Sequence, residues 1–215
     1  RALSSVTGRI ICVAKAVQEN LSAVVGIRGE KLCVIYNASP AEHDQCPSWV
    51  VEDTREALGI KPGDFVVTTV ASISENKGQA VLLEAFRHTA ADHPASKLIL
   101  VGDGPRRQAL ETQARGLGLA SRVIFTGVLM NVNPVLQLTD VLVLPTTKRE
   151  GLSVALVEGL SAGIPLIGSR LGAIPEVVED DVNGILVKPG SAVELGSALE
   201  RLLRSPDIRK RMGQA

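Results

Sequence analysis

The chain has 215 residues, room for one large domain or for one domain with part of another. Lysine plus arginine equals aspartate plus glutamate at 23 each, so no net field draws the protein toward nucleic acid, and its few aromatic residues, Tyr36, Trp49, Phe65, Phe86 and Phe125, are too scattered to stack bases. Three cysteines at no metal-ligand spacing, Cys12, Cys33 and Cys46, read as reduced packing residues of a cytoplasmic protein, and no apolar stretch approaches a membrane span.

Along the chain, short branched apolar runs alternate with helix-period segments. Strands are expected at 10–14, 32–36, 65–71, 97–101, 123–126, 141–144, 166–168 and 184–187. Helices are expected at 15–25, 48–58, 78–91, 106–116, 153–162 and 193–203. Such β-α alternation implies an α/β fold, a doubly wound, Rossmann-like parallel sheet with helices on both faces. One polar, proline-bounded stretch without periodicity, residues 38–47, interrupts it and reads as a linker. Residues 1–37 then read as the end of a preceding domain and 48–215 as a complete second one. The chain opens at Arg1 without a signal peptide and runs out in an apparent helix at 209–215, so it reads as a piece of a longer protein.

Two glutamates, Glu150 and Glu158, bracket the stretch Gly151-Leu152-Ser153-Val154 between an apolar strand and Gly163-Ile-Pro165. With Ser153 as N-cap, Glu150 lies in a loop at a strand's carboxyl end and Glu158 lies within the next helix, where open α/β sheets bind ligands. A carboxylate offers only acceptors, which suits neighbouring hydroxyls of a sugar or a ribose. The helix start between the glutamates offers free N–H groups, which suits phosphate. The plainer reading makes Glu150 a solvated loop charge and Glu158 a surface position. Ala155, Leu156, Val157 and Leu160 leave Glu158 little polar face to join. Lys77, in a turn between strand and helix, faces the same crevice and can offer phosphate a point charge, although a lysine so placed, taken alone, is more often just a solvated turn residue.

Three other patterns carry less. Gly102-Asp-Gly104-Pro105 sits where a dinucleotide fingerprint would, but Arg107 occupies the third glycine position, so a tight turn with Pro105 as first helical residue is expected. Gly159-Leu-Ser161-Ala-Gly163 matches a nucleophile elbow with strand and helix in the wrong order, and instead suits close helix packing and a glycine stop. His43-Asp-Gln-Cys46 has metal-capable side chains but no second ligand cluster, so no metal site is expected.

Taken together, the ordered segments resemble the carboxyl-terminal half of a retaining glycosyltransferase of the GT-B fold, family 4 (group 1) of the glycosyltransferases. They are Val34-Ile-Tyr-Asn37, Asn76-Lys-Gly78, Leu82-Leu-Glu-Ala-Phe86, Leu100-Val-Gly-Asp-Gly-Pro105 and Val123-Ile-Phe-Thr-Gly127, then Asp140-Val-Leu-Val-Leu-Pro145, Glu150 to Glu158, Ala162-Gly-Ile-Pro165, Gly172-Ala-Ile-Pro-Glu176 and Asn183-Gly-Ile-Leu-Val187. Each is weak alone; their order and spacing are specific.

The resemblance implies that Lys77 touches the diphosphate of a nucleotide-sugar donor, a UDP- or GDP-sugar, and that Glu150 holds the sugar hydroxyls, these two being the catalytic pair. It also implies that the backbone of Gly151, Leu152, Ser153 and Val154 lies against sugar and phosphate, that Glu158 holds the ribose diol, and that the base rests near Gly127, Val128 and Met130. Ser72 stands in the donor site where the family usually has an arginine, one cation fewer for the phosphates. The donor is the substrate and no cofactor is implied; without an Asp-x-Asp, no metal held by that motif is expected. The acceptor, a glycan or lipid-linked sugar, would be recognised by the missing amino-terminal domain, with the intact enzyme cytoplasmic and peripheral to the membrane's inner face. The piece alone is expected to bind without catalysing, and its apolar runs in 1–37 to favour self-association. Rival readings are a sugar-nucleotide 2-epimerase, a phosphorylase-like relative and a catalytically silent nucleotide-sugar-binding module.

Overall fold

The computed structural model describes residues 7–38 and 46–215. Near the amino terminus β1 (Ile10–Cys12), α1 (Lys15–Ala23) and β2 (Leu32–Val34) form a parallel two-stranded unit with Ile11 opposite Cys33. Helix α2 (Ser48–Ala57) then leads into a six-stranded parallel sheet. Its strands are β3 (Phe65–Val70), β4 (Ser96–Val101), β5 (Val123–Gly127), β6 (Val141–Leu144), β7 (Leu166–Ser169) and β8 (Gly184–Val187), in the spatial order β5-β4-β3-β6-β7-β8. The linking helices are α3 (Gln79–Asp92), α4 (Arg107–Gly116), α5 (Asn133–Leu136), α6 (Val154–Ser161), α7 (Ala192–Arg204) and α8 (Pro206–Gly213).

Alternation of side chains along each strand decides which helix covers which face. In β6, Val141 and Val143 join Val67 and Leu98 beneath Leu82, Leu83 and Phe86 of α3 and Leu195, Leu199 and Leu202 of α7. Leu142 and Leu144 point the other way, against Leu156 of α6 and Ile174. Both faces are therefore buried, which is why β6 is apolar throughout. The four buried residues of α7, Leu195, Ala198, Leu199 and Leu202, recur at helical spacing, and Ser191 caps that helix by accepting the Glu194 N–H at 3.2 Å.

The chain winds outward from β3 through β4 to β5, then crosses back to β6 and winds the other way. The carboxyl ends of β3 and β6 therefore flank the point where strand order reverses, the place where such sheets hold ligands. Among the described residues no helix is long and apolar enough to cross a membrane.

The structure departs from the expected elements in several places, among them the end of α1 at Ala23 and the start of α8 at Pro206. Strands β1 and β2 stop at Cys12 and Val34. The four-residue helix α5, too short to show a period, was not anticipated. Pro105 lies in the turn before α4, which begins at Arg107. Ser153 occupies the N-cap position of α6, but its side chain makes no capping bond.

Candidate functional site

Two loops meet at the reversal point. The loop after β3 carries Ser72 and a single 3-10 turn, Glu75–Lys77, and ends at Gly78 with φ 73°. A Cβ on Gly78 would stand 1.9 Å from the Pro145 carbonyl oxygen, so only glycine lets this loop lie against the end of β6. The Thr147 N–H donates to the Asn76 carbonyl at 2.9 Å, joining the loops directly. Buried Gln79 donates from Nε2 to the Ser72 carbonyl at 2.9 Å.

That junction brings Lys77 Nζ to 2.6 Å from Glu150 Oε2, with side chains 20% and 12% exposed. Thr146, fully buried at the end of β6, donates its hydroxyl to the same carboxylate oxygen at 3.0 Å. A lysine and a glutamate 73 residues apart thus form one partly desolvated ion pair, fixed by a third side chain. Partial exclusion of water leaves its Coulombic attraction less screened than in a solvated surface pair, at the cost of desolvating both groups.

Beyond Glu150 the chain passes through Gly151, buried Leu152 and half-buried Ser153 to Val154, the exposed first residue of α6. The backbone N–H groups of the first turn of α6 have no intrahelical partner and add a positive dipole end. Half-buried Glu158 lies one helical turn further along α6. Gly127, with φ 75°, ends β5 on the same side of the sheet, and beyond it Val128 and Met130 are 73% and 101% exposed. Exposed Ser72 lies on the same crevice wall as Lys77.

Two hollows flank the Glu150 loop. One, of about 820 Å³, is bounded by Glu75, Asn76, Lys148, Arg149 and Leu171. The other, of about 220 Å³, lies between α1 (Ala16, Val17, Asn20, Leu21) and Arg149, Glu150, Gly151 and Gly172. A third, of about 640 Å³, opens at the opposite end of the sheet beside Arg55, His93, Asp140 and Arg209 and contains none of the expected site residues. There burial pushes the Asp140 carboxyl up, against the Val66 N–H that it accepts at 2.8 Å and the nearby Arg209 and Arg55 charges.

Two of the remaining motifs take structural roles. Gly102, with φ 128°, sits where a Cβ would lie 2.1 Å from the Ala71 carbonyl, so the segment is a tight turn packed on the β3 loop. Ser161 donates to the Val157 carbonyl within its own helix, Gly159 packs where a Cβ would meet Leu142 at 2.5 Å, and Gly163 ends the helix with φ 70°. His43 lies outside the described residues, among which no group of three metal-capable side chains occurs. Thr146, and the Gly172–Glu176 segment that contacts the Glu150 loop, were not assigned roles from sequence. Position after a strand end is the only signal Thr146 offers, while Gly172 and Glu176 fall in a segment already noted for its resemblance.

The doubly wound parallel sheet is Rossmann-like, and the Lys77–Glu150 ion pair and the start of α6 lie at its reversal point. Residues 50–215 match the family described as Glycosyl transferases group 1, and the chain belongs to that family. It is similar to Anabaena HepE as crystallised with UDP-glucose, at 27% identity and a TM-score of 0.89, covering 96% of this chain and 57% of that one. It is also similar to the C-terminal domain of a group 1 glycosyl transferase, LpcC, from Francisella tularensis, at 26% identity and a TM-score of 0.67, covering 81% of this chain and 89% of that domain. The GDP-mannose-dependent alpha-(1-6)-phosphatidylinositol monomannoside mannosyltransferase of Mycolicibacterium smegmatis is 31% identical over 169 residues, 75% of this chain and 44% of that protein. The chain spans about half the length of the curated relatives it matches, between 42% and 52% of the first three.

Proposed function

We propose that this chain is the donor-binding part of a retaining glycosyltransferase of family 4, which transfers a sugar from a nucleotide-diphosphate sugar to a glycan or lipid-linked acceptor. The observation that carries the reading is the Lys77–Glu150 pair at the reversal point, 2.6 Å across and beside the start of α6. It offers a cation and an acceptor oxygen from one spot, the combination needed where a sugar joins a diphosphate. The similarity to a structure crystallised with UDP-glucose supports the same donor class.

In this reading the bond between the anomeric carbon and the diphosphate oxygen breaks, and negative charge grows on the departing diphosphate. Lys77 and the N–H groups opening α6 stabilise that charge where it develops. Glu150 accepts from the sugar hydroxyls and orients the ring, and Glu158 accepts from the ribose diol. Gly127, Val128 and Met130 provide the shelf for the base. Transfer requires acceptor recognition by the intact protein, working in the cytoplasm or at the inner face of its membrane, and this chain alone binds donor without turning it over.

Because the phosphate contacts come from Lys77 and backbone N–H groups, binding is expected without added divalent metal. Calorimetric titration with UDP, GDP and ADP, with and without EDTA, tests this. One of the three should bind equally well in both conditions; loss of binding with EDTA would overturn the metal-free site, and failure of all three would overturn the donor reading.

A further inference from the structure

Glu176 joins the amino-terminal unit to the Glu150 loop. It sits in the 3-10 turn Ile174–Glu176 and accepts the Lys15 N–H at 2.9 Å, the Ala16 N–H at 2.7 Å and the Tyr36 hydroxyl at 2.8 Å. Lys15 and Ala16 open α1, where N–H groups lack intrahelical partners, and the helix's own N-cap residue, Ala14, has no side chain to offer. Glu176 therefore caps α1 from a segment 160 residues from Ala16 in sequence. Behind the cap, Ala14 is buried with Leu152 and Ala173, so apolar packing and hydrogen bonding tie the same two parts together.

The other end of this segment grips Glu150. The Ala173 N–H donates to the Glu150 carbonyl at 3.2 Å. Gly172, with φ 58°, passes so close that a Cβ would stand 2.3 Å from that carbonyl oxygen. Gly172 to Glu176 is thus a short strut with Glu150 at one end and the start of α1 at the other. The 220 Å³ hollow between α1 and Glu150 lies across the span that this strut sets.

We propose that Glu176 is a positioning residue for Glu150: by capping α1 it fixes the strut, and so fixes the carboxylate that meets the donor sugar and the hollow beside it. The inference rests on the donor reading for the identity of Glu150's ligand. It predicts a split between the two parts of a nucleotide sugar. Lys77 is carried by the loop after β3, and α6 packs on β6 and β7 through Leu156, so diphosphate contacts should respond to the strut less than sugar contacts, which run through Glu150 itself.

The test uses the 215-residue chain, with UDP and UDP-glucose as calorimetric probes and hydrogen exchange as structural readout. Glu176→Ala should leave UDP affinity within about twofold of the parent and cut the advantage of UDP-glucose over UDP by roughly tenfold. First-turn amides of α1 and the Ala173 amide should lose protection by about tenfold or more. Glu176→Gln, which retains one carbonyl acceptor, should fall between, and Tyr36→Phe, which keeps the packing and removes one bond, should move the same readouts less. An unchanged UDP-glucose advantage with α1 released would reduce Glu176 to a plain helix cap and overturn the proposal, as would unchanged protection of α1. If the parent prefers GDP or ADP, that diphosphate and its nucleotide sugar replace the two probes; if it binds none of the three, the donor reading falls instead, and exchange at the Ala173 amide still decides whether Glu176 holds the Glu150 segment: protection unchanged in Glu176→Ala would overturn it.

Discussion

Among the described residues the Lys77 ammonium and the Thr146 hydroxyl both donate to Oε2 of Glu150, so under the proposed function Oε1 is the oxygen that a sugar hydroxyl would use. Under the proposed function the site residues separate by ligand part. Lys77→Ala should weaken UDP more than uridine. Glu158→Ala should erase the preference for UDP over its 2′-deoxy analogue, and Glu150→Ala should spare UDP and weaken only UDP-glucose. Each lost charge-assisted bond is expected to cost roughly 1.5–3 kcal/mol, about ten- to a hundredfold in affinity by calorimetry. Parent-like binding of every ligand by all three variants would mean the crevice is assigned to the wrong residues. Lys77 and Glu150 could be named from sequence because each is a charged residue in a loop after an apolar strand. That they touch each other could not, since a contact across 73 residues depends on β3 and β6 being neighbours. Thr146 was opaque for the same reason: a hydroxyl's partner follows from the register of the loops around it.

Helix α1 shows how far an element's stability can lie outside its own residues. It has no buried residue and no cap of its own, and its first turn is completed by Glu176. Burial alone would raise the Glu176 carboxyl, but the Ala16 and Lys15 N–H groups, the Tyr36 hydroxyl and the Lys15 charge outweigh it and hold the group below its ordinary value of 4.5. A carboxyl depressed on folding stabilises above its unfolded value and loses that contribution as pH falls through the folded one. The Tyr36 hydroxyl, which donates to this carboxylate, is pushed above its ordinary 10.0 chiefly by that bond, so its contribution persists until pH rises through the raised value. Protection of the α1 first turn should therefore be flat across neutral pH and fall as pH drops below 4.5. Hydrogen exchange corrected for intrinsic rates, read for α1 against β6, measures this; a parallel decline of both would assign the loss to global acid unfolding. Periodicity located α1 and α7 because each has enough residues to repeat, while β6 was legible as a short branched apolar run ending at Pro145. It could not locate α5, nor distinguish Ser191, which caps its helix, from Ser153, which does not.

At the scale of the whole molecule, alternating strands and helices were sufficient to specify a doubly wound parallel sheet, because right-handed crossovers leave few other arrangements. The amino-terminal unit follows a different logic. Among the described residues its sheet consists of β1 and β2, fewer strands than an independent sheet needs, so the seat on the Glu150 loop and Glu176 contributes to its stability. Cys12, Ala14 and Leu32 are buried there, while Ile11, Val24, Ile35 and Tyr36 are 61%, 64%, 55% and 45% exposed. Apolar side chains beside open strand edges favour pairing with another copy. Light scattering should therefore give a mass that rises with concentration, and Ile11→Lys with Ile35→Lys should return the chain to monomer while leaving UDP binding unchanged, because neither residue lines the hollows beside the Glu150 loop. Amides of β1 and β2 should also exchange faster than those of β3 and β6, which are flanked by strands on both sides. A strict monomer at every concentration, with β1 as well protected as β6, would mean that the contacts around Glu176 and Ala14 suffice to complete this unit.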